Sequence, residues 1–334
     1  MNDSNYDRRK RIRRQKARRR KRIRQIISLS LLAIVIIFTF SKILSSKKPA
    51  KEISPSIMWY YTNEIWPDRP KKYFYDSDYI SNQALEPFRD IRKEFIVKGS
   101  NHLQKVDKYA YDAKEIREYI KKNNYKGDKK IVFLTFDDGP NNVITPQILD
   151  ILKEEDVRAT FFLVGKSIGD KTSQRVREIL SNGNAIATHS FSHDYDYLYP
   201  NRTVNGTRVY EEIEKTNGRL KNILGDNFHS SVFRYPGGEM SWNNTIASNS
   251  LIESNGIHWI DWNCLVGDAE RKSVRPTTVE GFVNYLDKSL NQNKNTKIAV
   301  VLAHDAKNKQ LTADSLRDVI KYFKDRGYEF GILK

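Results

Sequence analysis

The chain has 334 residues, 39% of them hydrophobic and 11% aromatic, which is enough apolar material for a packed core and excludes a wholly disordered polymer. Its formal net charge of +17 would suit a nucleic-acid binder, but the charge is not spread as such a binder needs. Residues 8–24 hold 13 of the 58 Lys and Arg, and the chain beyond them is only mildly basic.

Directly after this run, residues 26–40 carry no charge, and residues 41–44 extend the stretch with Lys42 placed to snorkel. A bilayer span takes about 20 apolar residues, and cations on one flank alone set the topology. The expectation is a basic cytoplasmic tail over 1–25, interacting with lipid headgroups, and a transmembrane anchor over 26–44. The remainder would then lie outside the cell membrane as a single-pass protein. A cleaved signal peptide, giving a secreted form, is the alternative, although no small-residue cleavage site stands in the SSKKPAKE that follows. Residues 45–128 are expected to form a linker and accessory region, first rich in Ser, Lys and Pro, then aromatic and broken by Pro67, Pro70 and Pro87. Within it, residues 112–123 suit a short helix with Ile116 and Ile120 on one face.

From residue 129 the pattern becomes regular. Apolar runs at 131–136, 159–164, 185–188, 231–234, 257–262, 298–303 and 328–333 read as strands. Between them lie amphipathic stretches: one with Thr145 as N-cap and Pro146 at its first position, one with Val176, Ile179 and Leu180, one from about 208 to 224, one over 282–290, and one ending at Gly327. Alternating strands and helices imply a parallel α/β sheet covered on both faces. A closed or nearly closed (β/α) barrel of about seven strands and an open doubly wound sheet both fit, and in either the site lies at the C-terminal ends of the strands. Cys264 is the only cysteine, so no intrachain disulfide forms, and it reads as a small buried hydrophobe.

The strand ends carry chemistry. The first stops in Asp137-Asp138-Gly139-Pro140, the third in His189-Ser190-Phe191-Ser192-His193, the fourth in Arg234-Tyr235-Pro236-Gly237-Gly238. Two imidazoles four apart, with Asp137 or Asp138, suit Zn²⁺ or a similar divalent ion with open positions. Arg234 can pin a carboxylate, and the glycines let a backbone N–H approach a developing oxyanion. His304, after the sixth strand, is a candidate general acid, with Asp268 as the group that orients its ring.

Taken in order, TFDDGP, HSFSH, RYPGG, DWN followed by GD, and LAH resemble the polysaccharide deacetylase (NodB-homology) family of carbohydrate esterases, over about residues 130–334. The overall plan also resembles membrane-anchored peptidoglycan N-acetylglucosamine deacetylases. The resemblance implies a distorted (β/α) barrel forming the catalytic domain (129–334) and a metal-dependent hydrolysis of acetamide groups in cell-wall polysaccharide. It makes Asp137 the general base, Asp138, His189 and His193 the metal ligands, Arg234 the holder of the base, and Asp268 and His304 the orienting aspartate and general acid. Zn²⁺ is the expected ion, with Co²⁺, Mn²⁺ or Ni²⁺ as alternatives. Tyr235, Pro236, Gly237 and Gly238 would line the substrate, Leu302 the acetyl methyl, and Trp242 and Trp262 would complete the acetate pocket. Gly237 stands where many relatives carry an aromatic residue, and Ala269 follows Asp268 where an aromatic is common; both bear on sugar preference. N-acetylmuramic acid, exopolysaccharide, chitin-like oligomers and O-acetylated xylan are alternative substrates, and a non-catalytic carbohydrate-binding role is a remote one. Neither a nucleic-acid nor a protein partner is expected.

Overall fold

The structure is a computed structural model that describes residues 95–334. Its strands are β1 (Ala110–Tyr111), β2 (Lys130–Asp137), β3 (Ala159–Leu163), β4 (Ala185–Thr188), β5 (Val232–Phe233), β6 (His258–Trp259), β7 (Cys264–Leu265), β8 (Ile298–His304), β9 (Tyr328–Phe330) and β10 (Ile332–Leu333). Its helices are α1 (Ala113–Lys122), α2 (Thr145–Glu154), α3 (Ser173–Ser181), α4 (Tyr195–Leu198), α5 (Gly206–Leu224), α6 (Thr245–Ser254), α7 (Val279–Leu290) and α8 (Gln310–Asp325).

Seven strands run in the order β6-β5-β4-β3-β2-β8-β7, all parallel. Strand β8 covers one edge of β2 from Ile131 to Asp137, while β9 and β3 share the other edge, pairing with its first and second halves. A flat sheet of seven strands would hold its end strands about 29 Å apart, at roughly 4.8 Å per step. Yet the end strands β6 and β7 are consecutive in the chain, with only residues 260–263 between them. That link can span at most about 18 Å. The sheet therefore curls into a half-barrel, and the expected distorted barrel is the fold found.

The curl gives the sheet an outer and an inner face, and alternation along each strand sorts side chains between them. On β2, Val132, Leu134 and Phe136 point outward into the large core beneath α2, α3, α5, α7 and α8, whereas Ile131 and Phe133 point inward. Inward residues of β3, β4, β5 and β8 (Phe162, Ala187, Val232, Ile298 and Val300) join them. Burying each such large side chain is worth about 1.5–3 kcal/mol. Helix α1 closes this inner cluster at the N-terminal ends of the strands, inserting Ala113 and Ile116 beside Leu333 of β10. Asp112 caps α1 by accepting from the Glu115 N–H. A third cluster packs α5 and α6 on β5 and β6 through Val209, Ile213, Ile252, Phe233 and Trp259.

Three expectations change. Residues 95–128, assigned from sequence to a linker and accessory region, pack into the same unit as the rest. Ile96, Leu103 and Val106 sit in the outer core and Ile116 in the inner one. Strand β1 pairs with β10, and the Asn101 side-chain amide donates to the Leu333 carbonyl. The apolar face of α1 is buried against the half-barrel. Thr145 does not cap α2 through its side chain: helix α2 starts at Thr145, and Asn141 Oδ1 accepts the N–H groups of Val143 and Ile144 instead. The single-pass membrane localisation is also corrected. Among the described residues no helix is long and apolar enough to cross a membrane, and the tail and anchor expected over 1–25 and 26–44 lie outside the described residues.

Candidate active site

Strand registry decides which side chains meet. Asp137, at the end of β2, is two residues beyond Thr135 and four beyond Phe133, so it shares their inner face. Its registry partner on β8 is His304, which places the base and acid expected from sequence in one row. On the other side Asp137 is in register with Phe162 of β3. Arg234, two residues after Val232, also turns inward, is fully buried and places its guanidinium carbon over the Phe162 ring, 4.0 Å from its centroid.

Burying a guanidinium is costly unless every N–H is used. Here Arg234 Nε donates to the Ile260 carbonyl (3.1 Å) and Nη2 to the Asp261 carbonyl (3.2 Å). Its Nη1 donates to Thr135 Oγ1 (2.7 Å) and Asp137 Oδ1 (2.9 Å). One Asp137 oxygen is thereby fixed, and Oδ2 is left facing His189 Nε2 at 3.8 Å. Burial pushes the Asp137 carboxyl above the ordinary aspartate value, while Arg234 and His304 pull it back.

The next residue, Asp138, adopts φ +81°, and His193 adopts φ +52°. Both conformations are uncommon for side-chain-bearing residues and store strain. Their effect is to converge three side chains: Asp138 Oδ1 lies 3.3 Å from His193 Nε2 and 3.8 Å from His189 Nε2. The ligand atoms of Asp138, His189 and His193 all lie within 4.8 Å of one another. His189 Nδ1 donates to the Arg234 carbonyl at 2.9 Å, which leaves Nε2 bare towards the cluster. Burial, reinforced by the neighbouring His193, lowers the His189 pKa to about 3, so the ring is neutral. One carboxylate oxygen and two imidazole nitrogens, with the second nitrogen of one ring already anchored, form a donor set that fits Zn²⁺ or another borderline divalent ion.

Opposite stands His304. Its Nδ1 bonds Asp268 Oδ1 at 2.9 Å, and its backbone N–H donates to Asp268 Oδ2 at 2.8 Å. Thr312 donates to the same Oδ2, and Lys309 Nζ holds the Asp268 carbonyl. Burial alone would lower the His304 pKa, but the charge and hydrogen bond of Asp268, helped by Asp137 and Asp138, raise it. Asp268 is shifted down: burial would raise it, and His304 outweighs that. Asp268 thus favours the charged form of the His304 ring, whose Nε2 has no hydrogen-bond partner among the described residues.

The turn after Arg234 is only partly as expected. Gly237 is exposed at the turn, whereas Pro236 and Gly238 are buried, and Leu302 lies on the inner face of β8, two residues before His304. The Tyr235 side chain does not reach the cleft. It is fully buried in the α5–α6 cluster, and its hydroxyl bonds Ser248 and Asn249. It alternates with Arg234 and so takes the opposite face. A Cβ on Gly237 (φ +79°) would meet Trp242 and Tyr195 at 3.2 Å, and one on Gly238 (φ +81°) would meet Trp262 at 2.8 Å. Trp242 stacks on Tyr199 with centroids 4.1 Å apart and donates to the Pro236 carbonyl. Tyr195 lies 5.4 Å from His193. Tyr195 packs edge-on against Trp242 and so brings two aromatic rings beside the Asp138–His189–His193 group.

Sequence reasoning missed four supporting residues. Thr135 shares Arg234 with Asp137; its signal was available, since it precedes Asp137 by two. Tyr195 had none, lying in a one-turn helix. Asp261 accepts the Glu239 N–H at 3.0 Å and so holds the turn after Gly238; burial raises it to about 6. Asp305 lies fully buried behind Gly139, accepting from Thr145 Oγ1, with its other oxygen lacking a hydrogen-bond partner. Burial pushes it up to about 7.

A sequence profile of the polysaccharide deacetylase family matches residues 124–256. The structure of a Streptococcus mutans CE4 esterase is similar, with 43% identity and a TM-score of 0.69, covering 72% of this chain and 99% of that one. A peptidoglycan-N-acetylglucosamine deacetylase of Bacillus cereus is 29% identical over 61% of this chain and 69% of its own. A bifunctional xylanase/deacetylase of Pseudobutyrivibrio xylanivorans is 29% identical over 61% of this chain, which spans only 30% of that protein.

Proposed function

Because the chain belongs to the polysaccharide deacetylase family (carbohydrate esterase family 4), we propose that it is a metal-dependent N-deacetylase. On this reading it hydrolyses the acetamide of N-acetylglucosamine in peptidoglycan to a free amine and acetate. The observation that carries the reading is convergence. The Asp138–His189–His193 cluster, the Arg234-held Asp137 and the Asp268-held His304 all stand at one end of the half-barrel. The choice of substrate is supported by the B. cereus relative, named for that activity.

Asp138, His189 and His193 would hold a divalent ion, Zn²⁺ being the best match to the donors, with Co²⁺, Mn²⁺ or Ni²⁺ as substitutes. Such an ion supplies Lewis-acid charge at the acetyl carbonyl and makes a nearby water more acidic. The chain's own residues do the rest. Asp137, kept in place by Arg234, takes the proton of the attacking water through Oδ2. The Gly237 N–H, which has no acceptor among the described residues, donates to the developing oxyanion. His304 protonates the departing amine nitrogen from Nε2, and Asp268 keeps its ring turned and charged. Leu302, Trp242 and Trp262 close the space around the acetyl group and exclude water, and Tyr195 with Trp242 offers an aromatic wall to the sugar. The catalytic unit is taken to include α1 as well as residues 129–334, since α1 packs into the inner cluster of the half-barrel.

The test is acetate release by the full-length protein from purified peptidoglycan, with chitin-like oligomers, exopolysaccharide and O-acetylated xylan in parallel. Release from peptidoglycan that is abolished by chelator and restored by Zn²⁺ supports the proposal. Release that survives chelation contradicts the metal role, and release from xylan alone contradicts the substrate.

A further inference from the structure

The loops that carry the proposed ligands and general acid also wall a second concavity. Residues 140–143 follow Asp137-Asp138-Gly139, residues 166–172 follow β3, and Lys307 stands three residues after His304. With Arg219 from α5 they enclose a groove of about 560 Å³. The groove is joined to the reaction loops by hydrogen bonds. The Lys166 N–H donates to the Phe191 carbonyl and the Val164 N–H to the Gly139 carbonyl. The Lys166 ammonium donates to the Ser192 carbonyl, between the two ligand histidines.

Its charge is one-sided. Lys166, Lys171, Arg219 and Lys307 line it against a single acid, Asp170. Two of the cations are committed to holding the walls, Lys166 on Ser192 and Arg219 on the carbonyls of Gly165 and Ile168. The ammonium groups of Lys171 and Lys307 have no carboxylate within ion-pairing distance among the described residues. Scattered surface lysines are ordinary, but several lining one concave wall, on loops that also carry the proposed site, focus potential and favour anions. The volume is that of a ligand site, and a polymer reaching the cleft must lie on whatever flanks it.

We propose that this groove is a subsite for an anionic substituent, a carboxylate or phosphate borne by the same glycan chain that presents its acetamide to the cleft, with Lys171 and Lys307 as the charge contacts. The proposal rests on the deacetylase reading and adds a substrate preference to it: acidic strands are favoured over neutral ones.

The experiment compares the full-length protein with its Lys171→Gln/Lys307→Gln variant on three substrates. These are a neutral N-acetylglucosamine oligomer, glycan strands freed of phosphate polymers but keeping their carboxylates, and strands keeping both. The expected result is a KM raised roughly three- to thirty-fold on acidic strands, the scale of two solvent-facing ion pairs, with kcat unchanged and the neutral oligomer unaffected. High salt should erase the difference between the two proteins. An effect on both kinds of strand assigns the carboxylate, and one confined to strands with phosphate polymers assigns phosphate. An equal KM change on the neutral oligomer, or none on any substrate, overturns the proposal. If the unaltered protein releases no acetate at all, the deacetylase reading fails separately. Salt-sensitive co-sedimentation with acidic strands, lost in the double variant, then decides the groove by itself; equal sedimentation of both proteins overturns it.

Discussion

The two ends of the half-barrel are made from the same strands and have opposite characters. At the N-terminal end, Ile131 and Phe133 of β2 and Ile298 and Val300 of β8 meet α1 in a dry apolar plug. Two residues further along the same faces stand Thr135 and Leu302, and two further still Asp137 and His304. Strand alternation is indifferent to this change; it only guarantees that all these side chains point inward. The difference comes from what covers each end. Helix α1 seals one, whereas the other is met by loops with positive φ at Asp138, Ser190, His193, Gly237 and Gly238. The apolar end supplies the stability that lets the polar end hold buried charge and strained backbone.

That division can be broken from either side. Asp137→Asn or His304→Gln should lower kcat by about 10²–10⁴, the usual worth of a positioned acid or base, while thermal unfolding stays close to that of the unaltered protein. Phe133→Ala, at the sealed end, should do the reverse, costing about 3–5 kcal/mol of stability in denaturant titration with kcat of the folded fraction kept. Gly238→Ala sits where the two demands meet. A Cβ at φ +81° against Trp262 should cost about 1–2 kcal/mol and raise KM, because the turn beside the cleft must shift.

Two smaller effects sharpen the electrostatic side. In Asp268→Asn the negative charge that raises His304 is gone, so the imidazolium is lost at lower pH. The alkaline limb of the kcat/KM profile should move to lower pH, with the acidic limb unmoved. Asp305 is an acid raised from 3.8 to about 7 in the folded state. The stability tied to it is complete below about 3.8 and is lost as pH rises through about 7. Asp305→Asn should flatten that fall in a series of thermal unfolding curves between those pH values.

Much of this was legible in the sequence, for identifiable reasons. Strands β2 and β8 are long apolar runs, and a charged residue directly after such a run marks the site end of a parallel sheet. Strand β7 was not legible because two residues carry no periodicity, and α6 was not because only Ser248 and Ile252 of its ten residues are buried. The packing partner of α1 was not legible, because it is an interior that exists only once the sheet has curled. Tyr235 was misplaced because it stands between Arg234, which holds Asp137, and the exposed Gly237, yet alternation sends its ring to the opposite face. Asp305 hid behind His304: nothing local marks a carboxyl that a distant Thr145 and Gly139 bury.

On the proposed function, the open end of the half-barrel removes acetyl groups from N-acetylglucosamine in peptidoglycan. The most direct test is mass spectrometry of muropeptides after peptidoglycan has been incubated with the full-length protein or its Asp137→Asn variant. The account predicts fragments lighter by one acetyl group replaced by hydrogen, with the loss on the glucosamine residue, and no change with the variant. Unaltered muropeptides with the active protein, or equal loss with the variant, would contradict it.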